Sequence, residues 1–183
     1  SIFLDSYFKI TKYLEMNFSI EISPHTDLDT LPPVKDIYVT MLPGGDYKET
    51  AQKSGDLVKK GFNPVPHFPS RSIADEIQLK DYISRCKDMG VKQALIIGGS
   101  RDPVGKFDSS IQILETGFFE GIKIGIAGHP EGSPDISDSK LEKAMNDKKP
   151  YADYIVTQWL LDHQPIVDFI SKQSVPVHVG ITG

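Results

Sequence analysis

Glu21 lies within the apolar stretch Phe18-Ser-Ile-Glu-Ile-Ser23, between Ile20 and Ile22. A carboxyl group in the inward row of a strand loses part of its hydration. That raises its pKa and suits it to general-acid work near neutrality. Strand alternation equally permits an outward glutamate on an edge strand. His67, His129 and His178 fall at or just after the third, fifth and seventh apolar runs of the chain. Alternate strands of a barrel share a layer, so three imidazoles and Glu21 could ligate a metal, which makes a metal-dependent barrel hydrolase an alternative. The bland reading is that these histidines hydrogen-bond a ligand or a loop. No His-x-His or His-Glu-x-x-His is present, and the expectation is no metal.

Further polar or small groups sit where runs end. Thr40, Gly98, Gly99, Ser100 and Gln158 each close such a run. Ile97-Gly98-Gly99-Ser100-Arg101-Asp102-Pro103-Val104-Gly105-Lys106 superficially resembles a phosphate loop, but Ser100 and Phe107 break that pattern. A glycine pair at a strand end lets backbone approach a flat or phosphorylated ligand; it also serves a plain tight turn. His129-Pro-Glu-Gly-Ser-Pro-Asp135 makes a stiff loop. The Gln158 amide offers both donors and an acceptor to a ring edge.

These groups need a scaffold that gathers strand ends. Seven β-branched or apolar runs alternate with helix-length stretches: Phe18–Ser23, Asp36–Met41, Phe62–His67, Lys92–Ile97, Ile122–Ala127, Asp153–Gln158 and Pro176–Ile181. Their ~30-residue rhythm is that of βαβ units, which build a parallel sheet with its ligand beyond the carboxyl ends of the strands. Helices are expected over 1–16, 46–60, 72–89, 108–120, 138–149 and 163–173. Pro64 and Pro66 are unusual for a central strand, because neither can donate to a ladder. Two architectures remain: an open doubly wound sheet, or a TIM-type (β/α)8 barrel with seven strands visible. A barrel closes with eight strands. Composition does not shift along residues 1–183, so one domain is expected, C-terminally incomplete.

Charged residues make up 25% of the chain and the net charge is -5. Neither this nor any basic patch favours nucleic acid. No run approaches the ~20 apolar residues of a membrane span, and the charged N-terminus lacks a signal-peptide core. The single Cys86 offers no disulfide framework. A cytoplasmic protein is expected, and a homo-oligomer is left open.

Taken in order, SIEISP at 19–24, YVTMLPGGD at 38–46, PVPHFPSRS at 64–72, IIGGSRDPVG at 96–105, GIAGHPEGSPD at 125–135, YIVTQWLLD at 154–162 and VHVGITG at 177–183 resemble the methylenetetrahydrofolate reductase family. The resemblance covers nearly the whole chain after residue 18. It implies a (β/α)8 barrel with FAD over the strand tops, NADH or NADPH as reductant, and interconversion of 5,10-methylenetetrahydrofolate and 5-methyltetrahydrofolate. It aligns Glu21 with the general acid, Thr40, His67, Gly98, Gly99, Ser100 and His129 with flavin-contacting positions, and Gln158 with a folate contact. The chain departs from the family's pattern at Gly98-Gly99-Ser100, commonly Arg-Gly-Asp, and at Asp147, commonly lysine. Those departures keep a flavin-free folate-binding relative as a further alternative.

Overall fold

The computed structural model describes residues 18–134, 136–159 and 163–181. The helix expected over 1–16, Asp135, Leu160–Asp162 and Thr182 lie outside them. Among the described residues seven parallel strands form one sheet: β1 (Ile20–Ile22), β2 (Asp36–Val39), β3 (Asn63–Pro69), β4 (Gln93–Ile97), β5 (Lys123–Gly128), β6 (Tyr154–Trp159) and β7 (Val177–Gly180). Their spatial order is their chain order. A doubly wound sheet reverses order at a switch point, so that option is excluded. The sheet instead curls into a half-barrel, and the interior of β2 touches the interior of β7 through Tyr38 and His178.

Among the described residues five α-helices cover the outside: α1 (Tyr47–Lys59), α2 (Glu76–Asp88), α3 (Ser110–Leu114), α4 (Asp138–Lys148) and α5 (His163–Ser171). Local chemistry starts the first two. The Asp46 carboxylate accepts from Lys48 N–H at 2.9 Å, and that of Asp75 from Gln78 N–H at 2.8 Å. Each satisfies an orphan donor of a first turn. The helix expected over 72–89 begins late because Ser70–Ser72 forms a separate 3-10 turn. The one expected over 108–120 shrinks to five residues, and Gly117 turns the chain at φ +70°.

Strand alternation divides the core in two. Outward residues such as Phe68, Ile96, Ile126 and Ile155 pack beneath the helices with Leu79, Tyr82 and Ile113. Inward, Tyr38, Val65 and Leu95 pack with Ile97 and Val156. The paired register carries this parity around the sheet: Glu21 beside Tyr38, Tyr38 beside Val65, His67 beside Leu95, Gly125 beside Tyr154, and Val156 beside His178. Glu21 therefore belongs to the inward row.

The β3 prolines are accommodated by a division of pairing. Asp36 through Val39 of β2 pair with Asn63 through Pro66, and β4 joins only from His67 onward. Asn63 N–H donates to Lys35 O at 2.8 Å, so alternation turns the nitrogens of Pro64 and Pro66 away from β2. They face a side where no ladder has begun, and the missing donors cost nothing.

Candidate functional site

The carboxyl ends of the strands carry a cluster of polar groups on the inward face. Glu21 approaches His67 from β1, with His67 Nε2 3.7 Å from Glu21 Oε2. That is too long for a hydrogen bond, and one ligand atom or water between them would serve both. The His67 imidazole is buried, 7% exposed, and desolvation pulls its pKa down to about 4. It is neutral at physiological pH. Glu21 has an exposed side chain, yet the barrel wall on one side desolvates its carboxylate and raises its pKa. A carboxyl group that keeps its proton closer to neutrality lies beside an uncharged imidazole.

On the far side of the mouth, His129 follows β5. Burial lowers its pKa first, the nearby Lys148 ammonium adds to this, and a hydrogen bond with the Gln158 side chain opposes both. Lys148 is the last residue of α4 and is 8% exposed. Its Nζ lies 3.4 Å from the Ala127 carbonyl at the end of β5, and burial lowers its pKa. No carboxylate pairs with it among the described residues. An ammonium taken out of water without a counter-charge is costly. Of the four side-chain polar atoms buried with no hydrogen-bond partner among the described residues, two belong to this site, His67 Nε2 and His129 Nδ1.

The β4 end forms the remaining wall. Gly98 O accepts from Ser70 Oγ at 3.1 Å and from Arg71 N–H at 3.0 Å. Gly99 holds φ +90°, and a Cβ there would lie 3.2 Å from Pro69 Cβ. The loop is fastened further on, where Val104 N–H donates to Arg71 O and Lys106 N–H to Ala74 O. A Cβ on Gly105 would sit 1.9 Å from Ala74 O, so only glycine permits that closure.

The structure brings Glu21 close to His67, and separately gathers His129, Gln158 and Lys148 near the end of β5. Gly98 and Gly99 stand between them. Thr40 is close in space but committed: its Oγ1 donates to Ile22 O at 3.2 Å and its carbonyl accepts from Thr50. Ser100 is exposed on the loop. His178 is committed inside the barrel. Its Nδ1 is 2.8 Å from Tyr38 Oη, and its ring stacks on Tyr154 at 4.6 Å. The layer of three imidazoles behind the metal-hydrolase alternative is therefore broken. Among the described residues no three His, Cys, Asp or Glu side chains converge on a metal position. The sequence signals Lys148 only as a basic residue beside Asp147, and it does not signal Tyr38 at all. Lys148 lies at the end of a polar helix, and Tyr38 is placed only by the register that puts it beside Glu21.

No protein-family model matches the chain. A solved structure from Burkholderia cenocepacia J2315, described as that of a putative phosphonomutase, is similar at TM-score 0.62 and 11% identity. The match covers 90% of this chain and 78% of that one. At such identity the likeness shows the fold: parallel strands and alternating helices of the TIM type. It corrects the resemblance to methylenetetrahydrofolate reductases, and with it the flavin-dependent reductase activity and the flavoprotein, folate, one-carbon and methionine-biosynthesis assignments. The physical reason lies in the motifs themselves. They are strand ends, and every barrel of this kind places small and polar residues there, whatever its chemistry. Among the described residues no helix is long and apolar enough to cross a membrane.

Proposed function

We propose that the chain belongs to a TIM-type barrel enzyme that performs acid–base chemistry on a small acid carrying a phosphonate or phosphate group. The observation that carries this reading is the buried Lys148 ammonium with no carboxylate partner among the described residues, beside His129 and its unpartnered Nδ1. A dianionic headgroup supplies the missing counter-charge and accepts from the imidazole. The similar structure's description as a phosphonomutase suggests the same ligand class.

In this arrangement Lys148, His129 and the Gln158 amide hold the anionic end of the substrate. Gly98 and Gly99 let its middle approach the backbone. Glu21, whose pKa desolvation raises, donates a proton to the reacting atom and takes it back as carboxylate. His67 stays neutral and offers Nε2 to the same atom, so a second charge does not build up next to Glu21.

Calorimetric titration with phosphonoacetate tests the reading. The wild-type chain should bind it, Lys148→Met should abolish binding, and Glu21→Gln should leave binding intact. Equal binding by Lys148→Met and wild type overturns the assignment. So does a chain that ignores phosphonoacetate but takes up FAD to give a yellow complex.

A further inference from the structure

We propose that Tyr38 and His178 are positioning residues for the mouth: their hydrogen bond across the barrel interior seats the edge strand β7, and β7 fixes the backbone of Gln158. The proposal rests on the reading above only for what Gln158 holds.

Among the described residues β7 has one strand neighbour, β6. Their ladder pairs Ile155 with Val177 and Val156 with His178, then breaks, and resumes at Trp159 and Gly180. Gln158 lies in the break. There Gly180 N–H donates to the Thr157 side chain, Oγ1, at 2.9 Å. A Cβ on Gly180 would come within 2.7 Å of Thr157 O and 2.9 Å of Gln158 O. The backbone carrying Gln158 thus rests directly on β7, without the regular ladder that elsewhere fixes a strand.

The force that draws β7 inward comes from His178. Its ring lies nearly parallel to that of Tyr154, with centroids 4.6 Å apart and planes at 23°. Its Nδ1 meets Tyr38 Oη at 2.8 Å. With Tyr38 donating, the imidazole carries its proton on Nε2. This bond joins β2 to β7, strands far apart in the sheet order. Gly125 makes room for the stack: a Cβ there would sit 2.6 Å from the Tyr154 ring. Tyr38 also meets the His67 ring edge-on at 6.2 Å. One tyrosine therefore braces His67 on one side of the mouth and, through β7, Gln158 on the other.

Hydrogen exchange on the full chain without ligand tests the latch. Tyr38→Phe keeps the ring and removes the hydroxyl; His178→Phe keeps the stack and removes the acceptor. Both should speed exchange of the Val177–Gly180 and Thr157–Trp159 amides by up to about tenfold, the range expected for losing one net hydrogen bond. The amides of β3 and β4 should not change. Acceleration spread evenly over the sheet, or unchanged exchange in β7, overturns the latch. The second arm is affinity. Phosphonoacetate should bind Tyr38→Phe several-fold more weakly than wild type; equal affinity despite a loosened β7 overturns the link to Gln158. A wild-type chain that binds no phosphonoacetate removes the ligand assignment, and the exchange pattern still decides the latch.

Discussion

Acid should weaken this protein, in large part through His67; burial also lowers the pKa of His129 and of His178, which act in the same direction. His67 is 7% exposed, and its imidazole is neutral down to about pH 4, against an ordinary value of 6.5. In the unfolded chain it takes a proton near 6.5; in the folded chain it resists until about 4. Between those values the unfolded state binds more protons, so stability falls as the pH drops. The contribution is fully present above about 6.5 and lost by about 4. Converting that difference gives about 3 kcal/mol, a large share of the ~5–15 kcal/mol that holds a typical domain together. Glu21 works against this loss, because its raised pKa makes the folded state the stronger proton binder as acid is added. The perturbation is His67→Phe, which removes the titrating group and its unpartnered Nε2 and keeps a buried ring. Urea unfolding at steps from pH 7.5 to 4 should show wild type losing roughly 3 kcal/mol more than the variant. Parallel stability curves for the two proteins refute the reasoning. So does an imidazole resonance of folded His67 that titrates near 6.5.

Further outcomes follow from the same geometry. Lys148→Met should raise stability in ligand-free protein, measured by urea unfolding at pH 7, because it removes a buried ammonium with no carboxylate partner among the described residues. The same substitution should abolish anion binding, and a destabilised variant contradicts the account. Gly125→Ala should cost about 1–3 kcal/mol in the same assay, since its new methyl overlaps the Tyr154 ring and that ring has nowhere to go. Cys86 is buried, with its thiol pushed up to about 12, so it should react with a disulfide reagent only at the rate of unfolding. Asp46→Ala should cost about 1 kcal/mol by thermal or urea unfolding, through loss of the α1 cap.

The strands were legible because their physics is local. β-branched runs punctuated by glycine and proline place all seven within a residue or two of where they lie. The expected positions of Glu21, His67, His129 and Gln158 at strand ends follow from that ladder. Helix lengths were less legible. Nothing in Ser70–Ser72 announces a 3-10 turn, and α3 stops early where Thr116 Oγ1 donates to Ile113 O and Gly117 turns. The site's balance of charge was not legible at all. Whether His178 serves the mouth or a latch depends on Tyr38, 140 residues away in the chain. Whether Lys148 is a solvated lysine or a buried one depends on how α4 settles against β5. The reductase resemblance drew on the same strand-end residues and could not see these long-range pairings, which separate one barrel chemistry from another.

The most direct test of the central claim is a crystal structure of the chain with phosphonoacetate. The account predicts the phosphonate between Lys148 Nζ and the His129 ring, with the remainder of the ligand reaching toward Glu21 and His67. Phosphonate density elsewhere, for instance at the outer groove bounded by Lys80 and Lys87, with Lys148 still buried against Ala127, would contradict it.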